Sequence, residues 1–468
     1  MKNLISCDSS WGPVLLGLLI SVINSSAASI ESLTYDASGD TVTITDCDDR
    51  ASGALEIPSK IEGKPVTSIG NAAFYECASL TNVTIADTVT SIGDWAFGFC
   101  NGLTSITIPD SVDSIGFGAF VVCESLTSIT IPEGVSSIGE GAFGNCSSLR
   151  SITIPDSVTS VGGGTFSSCI SLASITIPDS VTSIGDRAFS RCTRLTSITI
   201  PDSVTSIGDS VFSECFSLKE ITTTITNPAY STVSGILYDK SKTLLHTYPL
   251  GLANDTFTIP DTVTSIGNRA FEFSQRLSSI TIPNSVISIG NYAFFGCSRL
   301  SSITNSTNVM SIGDYAFFGC SRLTSITIPD TVTSIGGGAF FGCHRLSNIF
   351  FYGDASTNIG AAFSGVSDSA IVTVQPNATG FGSTFGGLPV VFAKVLPPAI
   401  TRAWIDAEGN FIFKLDGSNT GVKLSYSPDL ESDFKTVSDT ITQGEDEILI
   451  RSTSKELEGS QGFFQLSN

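Results

Sequence analysis

The chain has 468 residues and a formal net charge of −21, with 23 Lys and Arg against 44 Asp and Glu. So acidic a protein lacks the basic face that nucleic-acid binding requires, and anionic lipid surfaces would repel it. Ser, Thr, Ile and Gly dominate while helix formers are scarce, which favours strands and turns.

Residues 1–28 read as a secretory signal. Lys2 gives a weakly positive start, Val14 to Ile23 an apolar stretch, and Ser26-Ala27-Ala28 a small-residue cleavage site, with the cut expected after Ala28. A rival reading takes Leu4-Ile5-Ser6-Cys7 as a lipidation site, but no apolar region precedes it. No later apolar run is long enough to cross a bilayer as a helix. The mature chain is therefore expected to be secreted or held at the cell surface, without a transmembrane segment.

From residue 77 the sequence becomes periodic. Cys77, Cys100, Cys123, Cys146, Cys169, Cys192 and Cys215 stand 23 residues apart, and Cys297, Cys320 and Cys343 resume that spacing. A fixed period of this length predicts a solenoid whose units bury their apolar edges against one another. In one unit, Leu195, Ile198 and Ile200 follow a leucine-rich-repeat spacing, and Ser197 and Thr199 must face the other way. Pro201 ends the strand, Gly208 marks a sharp turn, and Ala188-Phe189 represents the pair that plugs the far side. The cysteines, equivalent in every coil, read as buried free thiols bonded to loop backbone; disulfides or metal within the ladder are the alternative. Ser274 takes the slot between Cys215 and Cys297 as a small hydrogen-bonding replacement, and Cys47 lies outside the ladder.

The register of strand-Ile-Pro, Ser-Val-Thr-Ser-Ile-Gly, Ala-Phe and Cys resembles the 23-residue leucine-rich repeats of BspA-like cell-surface proteins, over roughly residues 30–395. An entry cap is expected at 29–68, and the opening segment, with Ala54 to Pro58 and Gly63 to Gly70, resembles that family's entry coil. A hairpin insertion at about 219–255, carrying Ser234-Gly235-Ile236-Leu237-Tyr238, resembles its recurrent insertion. The unit dissolves into a terminal cap at 371–395, then a linker at 396–399 containing Pro397-Pro398. Residues 400–468 alternate in short runs and read as a small all-β sandwich. The resemblance implies a secreted or surface protein acting in adhesion or recognition, without naming the partner.

Reactive chemistry is sparse. His246 and His344 belong to no nucleophile or metal motif, so the chain reads as a non-enzyme without cofactor or metal. Asp110, Asp156, Asp179, Asp202 and Asp330 each follow Pro, where Asp bonds its own backbone in a turn. Calcium would need six to eight oxygens, and no calcium-loop motif is present. Ser128 and Thr130, Ser151 and Thr153, Ser174 and Thr176, and Ser197 and Thr199 form parallel polar files. These files are an alternative ligand face, an ice-matching array, or simply exposed strand residues.

The binding candidates come from comparing coils. The residue after Ala-Phe varies freely, then becomes Phe295, Phe318 and Phe341 in successive coils, with Tyr292 and Tyr315 nearby. Arg276, Arg299, Arg322 and Arg345 share one position, stacked at ~4.8 Å, and so need anions or carboxylates between them. Aromatic residues with Arg are the types enriched at binding hot spots. The competing explanation is repeat duplication, with each Arg paired to a nearby Asp and the Phe residues covering the plug. Asn305, standing where an apolar residue should face inward, predicts a distorted coil.

The expected fold is mostly β, a leucine-rich-repeat solenoid of about twelve coils with a small C-terminal all-β domain. The expected function is recognition of a protein or glycan at a surface. A structural spacer of the envelope or matrix and a carbohydrate-binding accessory are the other two readings.

Overall fold

The computed structural model describes residues 28–393, apart from 305, 356–358 and 360, and the strand backbones beyond residue 399. The chain divides into two compact units, Met1–Val372 with Thr379–Val390, and Thr373–Ala378 with Val391–Asn468.

The first unit is a β-solenoid of about 14 turns, built from short strands. Two rows of parallel strands run along it. One contains segments such as Ser105–Thr107, Ser128–Thr130 and Ser151–Thr153, and the other contains Ser91–Ile92, Ser114–Ile115 and Ser137–Ile138. Ladder partners lie one repeat apart, as in Ile129 with Ile152 and Ile138 with Ile115. In the first row the Ile is buried while its Ser and Thr neighbours face out, as strand alternation requires. At the N-terminal end Leu33–Asp36 pairs antiparallel with Val42–Cys47, which in turn lies parallel to Lys64–Ile69 and covers the first coil.

The turn count exceeds twelve partly because the insertion is itself a turn. Tyr230–Val233 and Ile236–Asp239 form an antiparallel hairpin, and Leu244–Thr247 pairs with the latter. Leu244 and Leu245 then pair parallel with Ser265 and Ile266 in the second strand row. Tyr248 enters the aromatic core file, its ring centroid 5.0 Å from that of Phe271. A sequence lacking the repeat's letters thus still supplies its shape.

The plug phenylalanines stack in the interior, with centroids 4.7 Å apart at Phe74–Phe97 and 5.7 Å at Phe143–Phe166. Beside them the ladder thiols from Cys100 onward donate to the carbonyl of the plug Phe one turn back: Cys100 to Phe74 at 3.0 Å, Cys169 to Phe143 at 3.2 Å, Cys343 to Phe317 at 3.1 Å. The ladder cysteines are free and buried. Cys47 now has a place, since the Cys77 thiol donates to its carbonyl at 3.8 Å at the foot of the file. Ser274 departs from expectation: among the described residues its buried hydroxyl has no hydrogen-bond partner.

The structure gives the physical reason for one turn residue and corrects the reading of another. Gly208 stands at the turn as expected, but inter-turn contact and not a left-handed backbone makes it glycine. A Cβ at Gly208 would lie 2.7 Å from the Asp186 amide nitrogen of the preceding turn. The Pro-Asp turns are closed by backbone, with the Val112 amide donating to the Pro109 carbonyl at 3.1 Å. The Asp202 side chain instead accepts from the Thr226 hydroxyl at 2.5 Å. Asn305 falls outside the described residues; its neighbours Ser302–Thr304 pair regularly with Ser279–Thr281.

In the second unit the strands Ile400–Ile405 and Phe411–Leu415 pair antiparallel, as do Ile441–Gln443 and Ile448–Ile450. Lys423–Ser427 lies between Lys435–Val437 and Phe463–Ser467, again antiparallel.

Candidate binding surface

The candidate surface grows out of the turn that follows the second strand row. After the close-packed Gly comes an Asp or Asn whose side chain accepts the backbone N–H of its equivalent one turn on. Asn268 accepts from Asn291 at 3.0 Å, Asn291 from Asp314 at 2.8 Å, and Asp314 from Gly337 at 2.7 Å. This ladder fixes the spacing of the loops. The next residue is left-handed: Gly118, Gly141, Gly164 and Gly338 in some turns, but Trp95, Tyr292 and Tyr315 in others, with φ of 57°, 57° and 54°. A second left-handed position precedes the cysteine slot, held by Gly296, Gly319 and Gly342 in the later turns and by non-glycine residues such as Phe99, Val122, Arg191 and Phe273 in the others. A bulky side chain in this region costs about 1–2 kcal/mol against glycine, so the backbone does not explain the aromatic choice.

The aromatic residues singled out in the sequence do come together. Phe295, Phe318 and Phe341 stack in a file with centroids 4.7 and 5.3 Å apart. Tyr292 and Tyr315 stack at 5.2 Å beside it, and Tyr315 meets Phe318 edge-on at 5.9 Å. Tyr315 and Phe341 are 38% and 42% exposed, so the file is open to solvent rather than sealed under the plug. The neighbouring rings of Tyr315 and Phe273 rest on glycines of the following turn. A Cβ at Gly338 would lie 2.6 Å from the Tyr315 ring, and one at Gly296 would lie 2.5 Å from Phe273.

Among the described residues the cation–π contact is made by Arg269 and not by a member of the arginine file. Arg276, Arg299, Arg322 and Arg345 are all exposed. The ion pairs among the described residues are Arg50–Asp48, Arg191–Glu214 and Arg269–Glu272, so the carboxylate partners expected for the file do not appear. Arg269, which sequence reasoning missed, does join the aromatic group, its guanidinium carbon 4.2 Å from the Tyr292 centroid. The signal was its register, one turn before Tyr292 in the same left-handed slot.

Sequence reasoning also missed a second aromatic group near the N-terminal end. Trp95 and Phe117 have centroids 5.4 Å apart, Tyr75 and Phe99 5.3 Å, and Tyr75 and Trp95 6.3 Å. The four occupy different register positions, so no single column of the repeat reveals them.

The polar files are exposed as their alternation predicts: Ser128, Thr130, Ser151 and Thr153 flank buried Ile129 and Ile152. Ser174, Thr176, Ser197 and Thr199 line an open groove of about 710 Å³ with Asp179 and Asp202. There the strand row thins to a single bridge, Thr153 to Thr176. Within the groove wall one oxygen of Asp202 and the Ser203 hydroxyl are buried without partners among the described residues.

Nucleophile chemistry has little to work with. Burial pushes the thiols of Cys100, Cys146, Cys192 and Cys297 up to about 12, far from the thiolate. His246 is pushed below its ordinary value by burial, and its ring nitrogens face the Thr247 hydroxyl at 2.8 Å and the Ile207 carbonyl at 3.4 Å. Among the described residues no group of three or more His, Cys, Asp and Glu could hold a metal, and no helix is long and apolar enough to cross a membrane.

Comparison with known proteins bears on this surface. A family model described as BspA type leucine rich repeat region matches in six copies, over residues 55–169, 114–235 and 252–370. A leucine rich cell surface protein from Faecalibacterium prausnitzii A2-165 is 37% identical, with a TM-score of 0.61 over 72% of this chain and 93% of that one. The pneumococcal vaccine antigen PcpA is 19% identical, with a TM-score of 0.56 over 79% of this chain and 99% of that one, a likeness of fold alone. No curated protein matches the chain.

Proposed function

Because the chain belongs to the BspA-type leucine-rich-repeat family, we propose that it is an exported, surface-located binding protein without catalytic activity. It recognises an acidic protein or glycan through the turns that carry Tyr292, Phe295, Tyr315, Phe318 and Phe341. One observation carries the reading: tyrosines occupy left-handed backbone positions that other turns give to glycine, and their rings join a solvent-open aromatic stack. Aromatic rings supply large contact area at low entropic cost. Arg299 and Arg322, exposed and without ion-pair partners among the described residues, add positive charge that favours an acidic partner. The similarity to a protein named for its place on the cell surface supports export, as does the signal-like sequence of residues 1–28.

The test uses the intact chain immobilised and exposed to separated surface proteins and glycans. A variant combining Tyr315→Gly, Phe318→Ser, Arg299→Gln and Arg322→Gln should lose the captured partner while melting as the parent does. Unchanged capture by that variant refutes the reading. The groove with its unpartnered Asp202 oxygen supports a second reading, in which hydroxyl-rich ligands lie on the polar face. Loss of capture on replacing Ser174, Thr176, Ser197 and Thr199 by Ala would transfer the site there.

A further inference from the structure

The N-terminal aromatic group lies in the most one-sidedly charged part of the chain. Between Lys64 and Arg150 there is no Lys, Arg or His, while eight acidic residues run from Glu76 to Glu140. All eight are exposed. Three of them stand in, or one turn beyond, the turns that hold the rings. Glu76 follows Tyr75, Asp94 precedes Trp95, and Glu140 stands one turn beyond Phe117 in the same register position.

The rings are presented rather than buried. Tyr75 and Trp95 are each 36% exposed and Phe117 is 45% exposed. Trp95 and Phe99 are held in left-handed backbone, with φ of 57° and 61°, where Gly118 and Gly342 stand in other turns. The Trp95 ring lies over Gly118, whose Cβ, if present, would sit 3.4 Å from it. Asp94 accepts the Phe117 amide at 2.7 Å, but Asn71 makes the same bond to Asp94 at 2.9 Å. The loop therefore needs an acceptor there and not a charge.

We propose that Tyr75, Trp95, Phe99 and Phe117 form a second interaction surface, separate from the one above, that docks a protein segment bearing Arg or Lys side chains. Ring faces attract a cation through their quadrupole, and surrounding carboxylates raise its local concentration. The same carboxylates exclude an acidic partner, and a neutral sugar would gain nothing from them.

The experiment measures anisotropy of a fluorescein-labelled Arg-Gly repeat peptide against the intact chain at about 0.15 M salt, where loose surface attraction is largely screened. The parent should bind the peptide. The Trp95→Gly/Phe117→Gly variant, which leaves net charge unchanged, should bind about tenfold or more weakly. Its melting temperature should match the parent, because glycine suits the backbone at position 95. Asp94→Asn with Glu140→Gln should weaken binding while keeping the loop bond. Equal binding by the glycine variant would mean attraction by charge alone and would overturn the proposal. So would preference for a neutral oligosaccharide, or self-association of the chain that vanishes with Trp95→Gly and leaves no peptide binding.

Discussion

Two glycines in one turn should respond very differently to alanine. A Cβ at Gly139 would sit 2.5 Å from both the Gly116 carbonyl carbon and the Phe117 nitrogen, and 2.6 Å from the Gly116 oxygen. All three atoms are backbone of the preceding turn, held by strand ladders and the Gly139 amide bond to Ile115 at 2.8 Å. They cannot rotate away, so the overlap must be relieved by prising turns apart. Overpacking typically costs about 1–3 kcal/mol, and rigid backbone on one side places this case at or above about 3. Gly141, two residues on, has φ of +65° and nothing within 4 Å of a Cβ. Alanine there meets only the left-handed penalty of about 1–2 kcal/mol, which Arg187 and Ser210 already bear at equivalent positions. Urea midpoints by circular dichroism should therefore fall clearly further for Gly139→Ala than for Gly141→Ala. Equal shifts, or a larger one at 141, would refute the claim that inter-turn contact rather than dihedral freedom selects the first glycine.

Other outcomes follow from the same geometry. Phe317→Ala removes a ring stacked at 5.0 Å on Phe294 and 5.3 Å on Phe340 and should cost about 3–5 kcal/mol, whereas Tyr315→Gly should leave the melting temperature within a few degrees because strain relief offsets the lost ring contact. The buried thiols should resist a thiol reagent in native buffer and react together on adding denaturant; rapid native labelling of Cys146 or Cys192 would contradict their raised values. His246 has a native value lowered by burial, so as pH falls through about 6.5 the unfolded chain takes the proton first and stability declines toward lower pH. Above that pH the neutral ring makes stability independent of this group. His246→Gln should flatten the slope of the urea midpoint between about pH 5 and 7, and an unchanged slope would assign it to other groups.

The cysteine period and the Leu, Ile and Phe spacing were enough to specify the solenoid, because stacking repeats one environment and so demands one residue type. The same logic identified Phe295, Phe318 and Phe341, which recur at a single register position. It failed for Tyr75, Trp95, Phe99 and Phe117, since these converge from different positions and only the folded loops bring them within 5.3–6.3 Å. The insertion was legible as a break in the repeat but not as a turn, because Leu245 and Tyr248 satisfy the stacking contacts with other letters.

By itself, the sequence determined the parallel coil, its apolar interior and its buried thiols, all consequences of nearest-neighbour packing that repeats with the chain. Tertiary structure decided three things: why the recurrent glycine is needed, which loop residues are left-handed, and whether the arginines find carboxylates. Each depends on where an atom of one turn lies against the next, a distance of a few ångströms that spacing along the chain does not encode.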